Sequence, residues 1–357
     1  MTWTNTRFTR LLGVELPIVL GPFGGASSTE LVAAVSDAGG LGSYGAYGLS
    51  GERILEVAAE IRGKTDRPFS LNLWIPHEGS DDYRPTAEEF ARHLEPLKPY
   101  FEELGVPLPD LPARLFPSHR EQVEALLQAR PAAFSFVYGV PDADILDRAR
   151  ALGITTMGTV STVEEAVLVA DAGVDVVVAS GLEAGGHRVS FLRPAEESLI
   201  GNLALVPRVV DAVSVPVVAA GGIVDGRGTA AALTLGADAV QLGTAFLATD
   251  QSAASGFHRE KLWSEDAGLT VLTRAFSGRL ARGIPNDFSR AVDGGTLPIA
   301  PFPLQSWLLG RFKSAAIAQG RSDLVSLWAG QSAPLIRYHD ATELVASLTA
   351  EASALLP

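Results

Sequence analysis

Short apolar runs alternate along the chain with stretches in which apolar residues recur every three or four positions. The runs cover residues 18–21, 41–44, 69–74, 133–138, 155–160, 176–180, 215–220 and 239–242. Several are continuously apolar, as strands buried on both faces must be. Residues 29–38, 51–62, 120–129, 143–152, 163–172, 203–213 and 227–235 predict the intervening helices. Ser28 or Thr29 suits the cap of the first, and Ser161-Thr162-Val163-Glu164 resembles a capping box.

A weak repeat supports this alternation. Asp37-Ala38-Gly39-Gly40, Ala151-Leu152-Gly153-Ile154, Asp171-Ala172-Gly173-Val174 and Thr234-Leu235-Gly236-Ala237 each stand between a predicted helix and an apolar run. Glycine in that place is the left-handed residue that ends a helix. Repeated helix–Gly–strand units imply parallel strands with right-handed crossovers. Eight of them close most simply into a TIM (β/α)8 barrel of the α/β class, with an open doubly wound sheet as the alternative. Two stretches fall outside the repeat. Residues 76–118, Pro-rich and charged with a helical segment over 86–104, read as an insertion after the third strand. Residues 251–357 read as a helical cap or C-terminal segment packed on a barrel of residues 1–250.

Composition narrows the function classes. Hydrophobic residues make up 47% of the 357 and charged residues 19%, so a large core can be buried and disorder is not expected. Net charge is −13 and no Lys/Arg cluster is present, which argues against a nucleic-acid partner. There is no cysteine, so disulfides, thiolate catalysis and iron–sulfur clusters are excluded. The polar N-terminus lacks the apolar core of a signal peptide, and no uncharged apolar run reaches the ~18 residues of a membrane span. A cytoplasmic protein with no membrane partner is the expectation.

In a barrel of this type, chemistry gathers where the strands end. The first run ends in Gly21-Pro22-Phe23-Gly24-Gly25, small residues that let a flat ligand approach the backbone, or that simply make a βα turn. Asn72 stands among apolar neighbours and needs partners, either a ligand or a loop. The sixth run leads into Ser180-Gly181-Leu182-Glu183-Ala184-Gly185-Gly186-His187-Arg188. An imidazole on a Gly-rich loop after a buried strand suits proton transfer or anion stabilisation, although a structural loop histidine fits the same position. His77, His93, His119, His258 and His339 lie in polar segments and are expected at the surface. Gly221 and Gly222 follow the seventh run, and Gly243 and Thr244 the eighth, where backbone N–H groups of many barrels hold a phosphate. Gly40-Leu41-Gly42-Ser43-Tyr44-Gly45 matches the dinucleotide fingerprint formally, but a helix precedes it, so it reads as close packing in the barrel.

With these residues the sequence resembles the class I nitronate monooxygenases over roughly residues 8–290. The resemblance includes Glu183-Ala184-Gly185-Gly186-His187, both phosphate loops, and Thr273-Arg274-Ala275-Phe276-Ser277-Gly278-Arg279. It implies FMN across the barrel mouth, with its phosphate on Gly221, Gly222, Gly243 and Thr244. Its ring would lie near Pro22, Phe23, Gly24, Asn72, Gly181 and Gly185, and Ser180, Gly186, Ala219 and Gln241 would complete the cofactor site. His187 would be the catalytic residue, facing flavin and substrate, with Arg188 either assisting or forming a surface salt bridge. No metal is implied. The implied reaction is oxidative denitrification of an alkyl nitronate, such as propionate 3-nitronate, by O2, giving a carbonyl compound and nitrite. An NAD(P)H-dependent FMN reductase of quinones or enoyl-acyl-carrier proteins is the alternative on the same scaffold. Phe23 stands where many members have Met, and Phe136-Val137-Tyr138 where some carry a second histidine, so substrate preference stays open, as does the choice between monomer and homodimer.

Overall fold

The computed structural model describes residues 2–76 and 83–356. Its central strands are β1 (Ile18–Leu20), β2 (Gly42–Gly45), β3 (Phe69–Trp74), β4 (Ala133–Val137), β5 (Thr155–Val160) and β6 (Val176–Ser180). After a two-residue strand, β7 (Gly186–His187), come β8 (Val217–Ala220) and β9 (Ala239–Leu242). All but β7 pair in parallel, in the order β1-β9-β8-β6-β5-β4-β3-β2. The two ends meet: Leu20 N donates to Leu41 O at 2.9 Å, and Leu41 N to Ile18 O at 2.9 Å. The order never reverses as it does in a doubly wound sheet, so the fold is a (β/α)8 barrel.

Alternation along each strand sorts its side chains. Val176, Val178, Val218, Ala239 and Met157 fill the interior, where Phe8 and Leu12 of the N-terminal helix Arg7–Leu12 join them. Val177, Ala179, Val217, Ala219 and Val240 point outward into the layer beneath the helices. The repeated glycines do end helices: Gly39, Gly153, Gly173 and Gly236 have φ of 93, 72, 83 and 98°. The formal dinucleotide motif is packing. A Cβ on Gly42 would lie 2.2 Å from Val32 O, so the helix Thr29–Asp37 rests directly on the β2 backbone.

Two local expectations change. The cap of the helix Val163–Asp171 is Thr162, which accepts from Glu165 N at 3.2 Å, one residue later than the sequence pattern suggested. Glu165 is buried and turned to other work, accepting from Ser161 N at 2.7 Å and Phe191 N at 2.7 Å. The segment after residue 250 is not wholly helical. It contains β10 (Val271–Thr273) and β11 (Ala281–Gly283), which form an antiparallel sheet with β7 in the order β10-β11-β7. Strands of two or three residues carry no periodicity, and their partners are remote in sequence.

One hydrophobic cluster joins the insertion to the C-terminal segment. Phe90, Leu97 and Phe101 pack with Phe288, Leu304 and Phe312. The last helix, Ala341–Leu355, returns to the barrel, where Leu344, Val345 and Leu348 join the outer layer. Its Glu351 accepts from Gly226 N at 2.9 Å. No helix of the described residues is long and apolar enough to cross a membrane.

Candidate active site

Sheet register aligns the strand ends. Ser180 pairs with Ala220, Ala220 with Gln241, and Leu20 with Leu242. The segments after β1, β6, β8 and β9 therefore form one rim, and residues from the cofactor expectations stand on it. Gly21 N donates to Leu242 O at 2.8 Å, which brings the Pro22-Phe23-Gly24 turn beside the end of β9. A Cβ on Gly243 would lie 3.7 Å from the Phe23 ring. Asn72 faces the barrel interior, almost fully buried, and its Nδ2 donates to Ser135 Oγ at 3.0 Å. Gln241 also points inward and is partly exposed at the mouth. Ala219 points into the helix layer, so only its backbone faces the rim.

The loop after β8 is shaped by glycine. Gly221 and Gly222 have φ of 100 and 73°, which L-residues with a Cβ rarely adopt. Their carbonyls are occupied. Asn202 Nδ2 donates to Ala220 O at 2.9 Å and to Gly221 O, and Ser332 Oγ donates to Gly222 O at 2.7 Å. Their N–H groups, and that of Gly243, make no hydrogen bond among the described residues. Unpaired amides cost free energy unless something accepts from them, and a phosphate supplies such acceptors. Thr244 Oγ1 accepts from Gly330 N at 2.9 Å, which leaves its own proton to donate. These residues fit a phosphate-bearing cofactor. Among the described residues, no cluster of three or more His, Asp or Glu could hold a metal.

From Ser180 the chain runs through Gly181 and Gly185 to β7. A Cβ on Gly185 would lie 2.6 Å from Ala329 C, so only glycine lets the segment after β11 lie this close. β7 pairs with β11, which puts His187 opposite Ala281. His187 Nε2 lies 2.8 Å from Ser277 Oγ. Its ring meets Trp74 edge-on at 4.9 Å and Trp328 at 5.4 Å. The ring keeps some exposed surface, yet desolvation by these neighbours, and then the charge of Arg279, push its pKa down to about 3. The imidazole is neutral near pH 7 and can accept a proton or donate one hydrogen bond.

Arg188 is neither at the surface nor in a salt bridge. It is 1% exposed, and its guanidinium donates to Gly181 O at 2.6 Å and Ser180 O at 3.0 Å. Burial lowers its pKa to about 10. Its work is to hold the turn that leaves β6. His258 is also buried rather than exposed, with Nε2 3.0 Å from Trp328 O, and burial lowers it to about 4. His339 is exposed, His93 and His119 are half-buried, and His77 lies outside the described residues.

Several residues here had no role in the sequence reading. Asn202, Ser332 and Gly330 brace the rim, and Ser135 holds Asn72. Ser277 and Arg279 belong to a motif noted in the sequence, but nothing local ties them to His187. Trp74 begins an aromatic cleft leading away from His187. Tyr47 stacks on it at 4.2 Å, and Phe302 lies 5.8 Å away.

Comparison with known proteins agrees with this architecture. A family profile described as nitronate monooxygenase matches residues 5–351. The nitronate monooxygenase of Pseudomonas aeruginosa PAO1 is 44% identical over 349 residues, covering 97% of this chain and 98% of that protein. A crystal structure of nitroalkane oxidase from Streptomyces ansochromogenes superimposes with a TM-score of 0.88 at 37% identity, covering 98% of both chains. FabK from Thermotoga maritima gives a TM-score of 0.75 at 28% identity, covering 98% of this chain and 96% of that one. The match spans the barrel, the insertion and the C-terminal segment alike, and the chain belongs to the nitronate monooxygenase family of oxidoreductases.

Proposed function

We propose that the protein binds FMN across the barrel mouth and oxidises alkyl nitronates with O2, releasing nitrite and a carbonyl compound. The observation that carries this reading is a neutral imidazole, His187, on the same rim as glycine amides that have no acceptor among the described residues. The N–H groups of Gly221, Gly222 and Gly243, with the Thr244 hydroxyl, hold the phosphate. Pro22, Phe23 and Gly24 border the flavin ring from β1, Ser180, Gly181, Gly185 and Gly186 from the loop after β6. Asn72 is held by Ser135 with its amide toward the interior, and Gln241 and the Ala219 backbone complete the wall.

Bound FMN supplies the two-electron oxidation of the substrate, with O2 as terminal oxidant. His187 supplies the proton chemistry. As a neutral base it accepts the α-proton of a neutral nitroalkane, and as a donor it holds an oxygen of a nitronate anion. Ser277 fixes its orientation. Trp74 and Trp328 keep water from one side of the ring.

The test is an absorbance spectrum of the protein with FMN added, followed by ethyl nitronate in air with nitrite detection. Flavin bands and stoichiometric nitrite are expected. A protein that takes up no flavin ends this reading. Rapid anaerobic bleaching by NADPH, with no nitrite from a nitronate, would replace it with the reductase alternative.

A further inference from the structure

Among the described residues, Arg279 is a cation without a counter-ion. Arg7, Arg227, Arg274 and Arg321 pair with carboxylates, and Arg188 and Arg282 donate to backbone carbonyls. Among the described residues Arg279 forms no ion pair, and its Nη1 is buried without a hydrogen-bond partner. Its Cζ lies 3.9 Å from the centre of the Tyr138 ring and 3.9 Å from that of Phe302. Both rings thus lie against the guanidinium. Arg279 lines the cleft that begins at Trp74. Trp74 is 5.8 Å from Arg279 and 4.9 Å from His187, and Ser277, which holds His187, stands two residues before Arg279.

The backbone fixes this position. Gly278 has φ of 80°, and a Cβ there would lie 2.6 Å from Phe302 N, so the segment is pressed against the 302 turn. Tyr138 holds φ of 71°, a strained value for a non-glycine residue, with its ring against the guanidinium. A guanidinium stays protonated, and its in-plane fork matches a planar group with two oxygens.

We propose that the guanidinium of Arg279, with its unpartnered Nη1, is the anion-recognition element of this site: it takes the two coplanar oxygens of the substrate's anionic group and makes the enzyme select anions over neutral nitro compounds. This rests on the nitronate reading above, and names the residue that sets its specificity. The two sources of such a group are the nitronate itself and a carboxylate elsewhere on the substrate. A local cation offsets the repulsion that a net charge of −13 imposes on either.

The experiment titrates sodium nitrate, an inert planar oxyanion, into FMN-loaded wild type, Arg279→Lys and Arg279→Gln by calorimetry. One nitrate per chain is expected in the wild type, at least tenfold weaker in Arg279→Gln and intermediate in Arg279→Lys. In parallel, the KM for propionate 3-nitronate rises at least tenfold in Arg279→Gln while kcat falls less than threefold and flavin content is unchanged. Losses on ethyl nitronate and on propionate 3-nitronate alike assign the nitro oxygens, whereas a loss on propionate 3-nitronate alone assigns the carboxylate. Should Arg279→Gln not fold, Arg279→Lys carries the comparison. Wild type that binds no nitrate, or variants that bind it as tightly with unchanged KM, overturn the proposal. Arg279-dependent nitrate binding in a protein that oxidises no nitronate leaves the anion site standing and overturns the nitronate reading instead.

Discussion

His187 Nε2 and Ser277 Oγ, 90 residues apart in the chain, meet at 2.8 Å. The contact exists because β7 and β11 pair, and it fixes which way the imidazole turns. Ser277 Oγ also accepts from Arg279 N at 3.2 Å, so the hydroxyl is itself held in place. Ser277→Ala leaves the ring packed between Trp74 and Trp328 but free to reorient. One neutral hydrogen bond contributes ~1 kcal/mol, so kcat on ethyl nitronate is expected to fall ~5-fold, with FMN affinity unchanged. Steady-state kinetics and a flavin titration check both halves, and unaltered kcat would remove the orienting role.

His187→Asn separates proton transfer from anion stabilisation. A positioned general base contributes ~10²- to 10⁴-fold. A loss of that size is expected on neutral nitroethane, and a smaller one on pre-formed ethyl nitronate, whose proton has already gone. Stopped-flow flavin reduction with each substrate measures it. Equal losses on both would strike proton abstraction from the role of His187.

Gly221→Ala tests the phosphate cradle. The φ of 100° and a Cβ 2.9 Å from Ala184 N leave no room for a methyl group. Strain of this kind costs ~1–3 kcal/mol, and its relief must move the amide. The variant is expected to purify with a lower ratio of flavin to protein absorbance and at least tenfold weaker FMN binding. Full flavin occupancy at wild-type affinity would move the phosphate elsewhere.

Arg188 bears on stability rather than catalysis. Arg188→Met removes the charged donors that hold Gly181 O and Ser180 O, leaving Gly181 O with only the Ala184 amide. Hydrogen bonds from a charged group contribute ~1.5–3 kcal/mol each, less the desolvation of the buried cation. A net loss of ~3 kcal/mol in urea unfolding is expected. A variant of wild-type stability would show that the turn holds without it.

The buried histidines set the response to acid. His258 has its pKa lowered from 6.5 to about 4, so the folded state resists a proton that the unfolded chain accepts. Its contribution is fully present above pH 6.5 and is lost as the pH falls toward 4, and His187 acts in the same direction toward about 3. Carboxylates lowered by their partners, such as Glu30, matter only below their ordinary 4.5. The thermal midpoint is expected to fall from pH 7 to pH 5. His258→Gln, which can still donate to Trp328 O, should fall less. Parallel curves for the two proteins would exclude His258 as a source of the slope.

The barrel strands and their helices were legible because burial on both faces writes an apolar run, and each helix end writes a glycine. Gly39, Gly153, Gly173 and Gly236 were read from spacing alone, and all four are left-handed. β10 and β11 left no such mark, since three residues cannot show a period. Arg188 and His258 misled for a related reason: burial of a polar side chain depends on which carbonyls fold around it, here those of Gly181 and Trp328.

The sequence by itself determined the repeating βα units, the absence of thiol chemistry, and a glycine-rich rim with one imidazole, because each is a property of residue type and local spacing. Only the tertiary structure decided that Ser277 and Trp74 hold that imidazole, that Asn202 and Ser332 occupy the rim carbonyls, and that Arg279 has no counter-ion among the described residues. Those contacts join residues from separate strands and loops, and chain closure, not local pattern, brings them together.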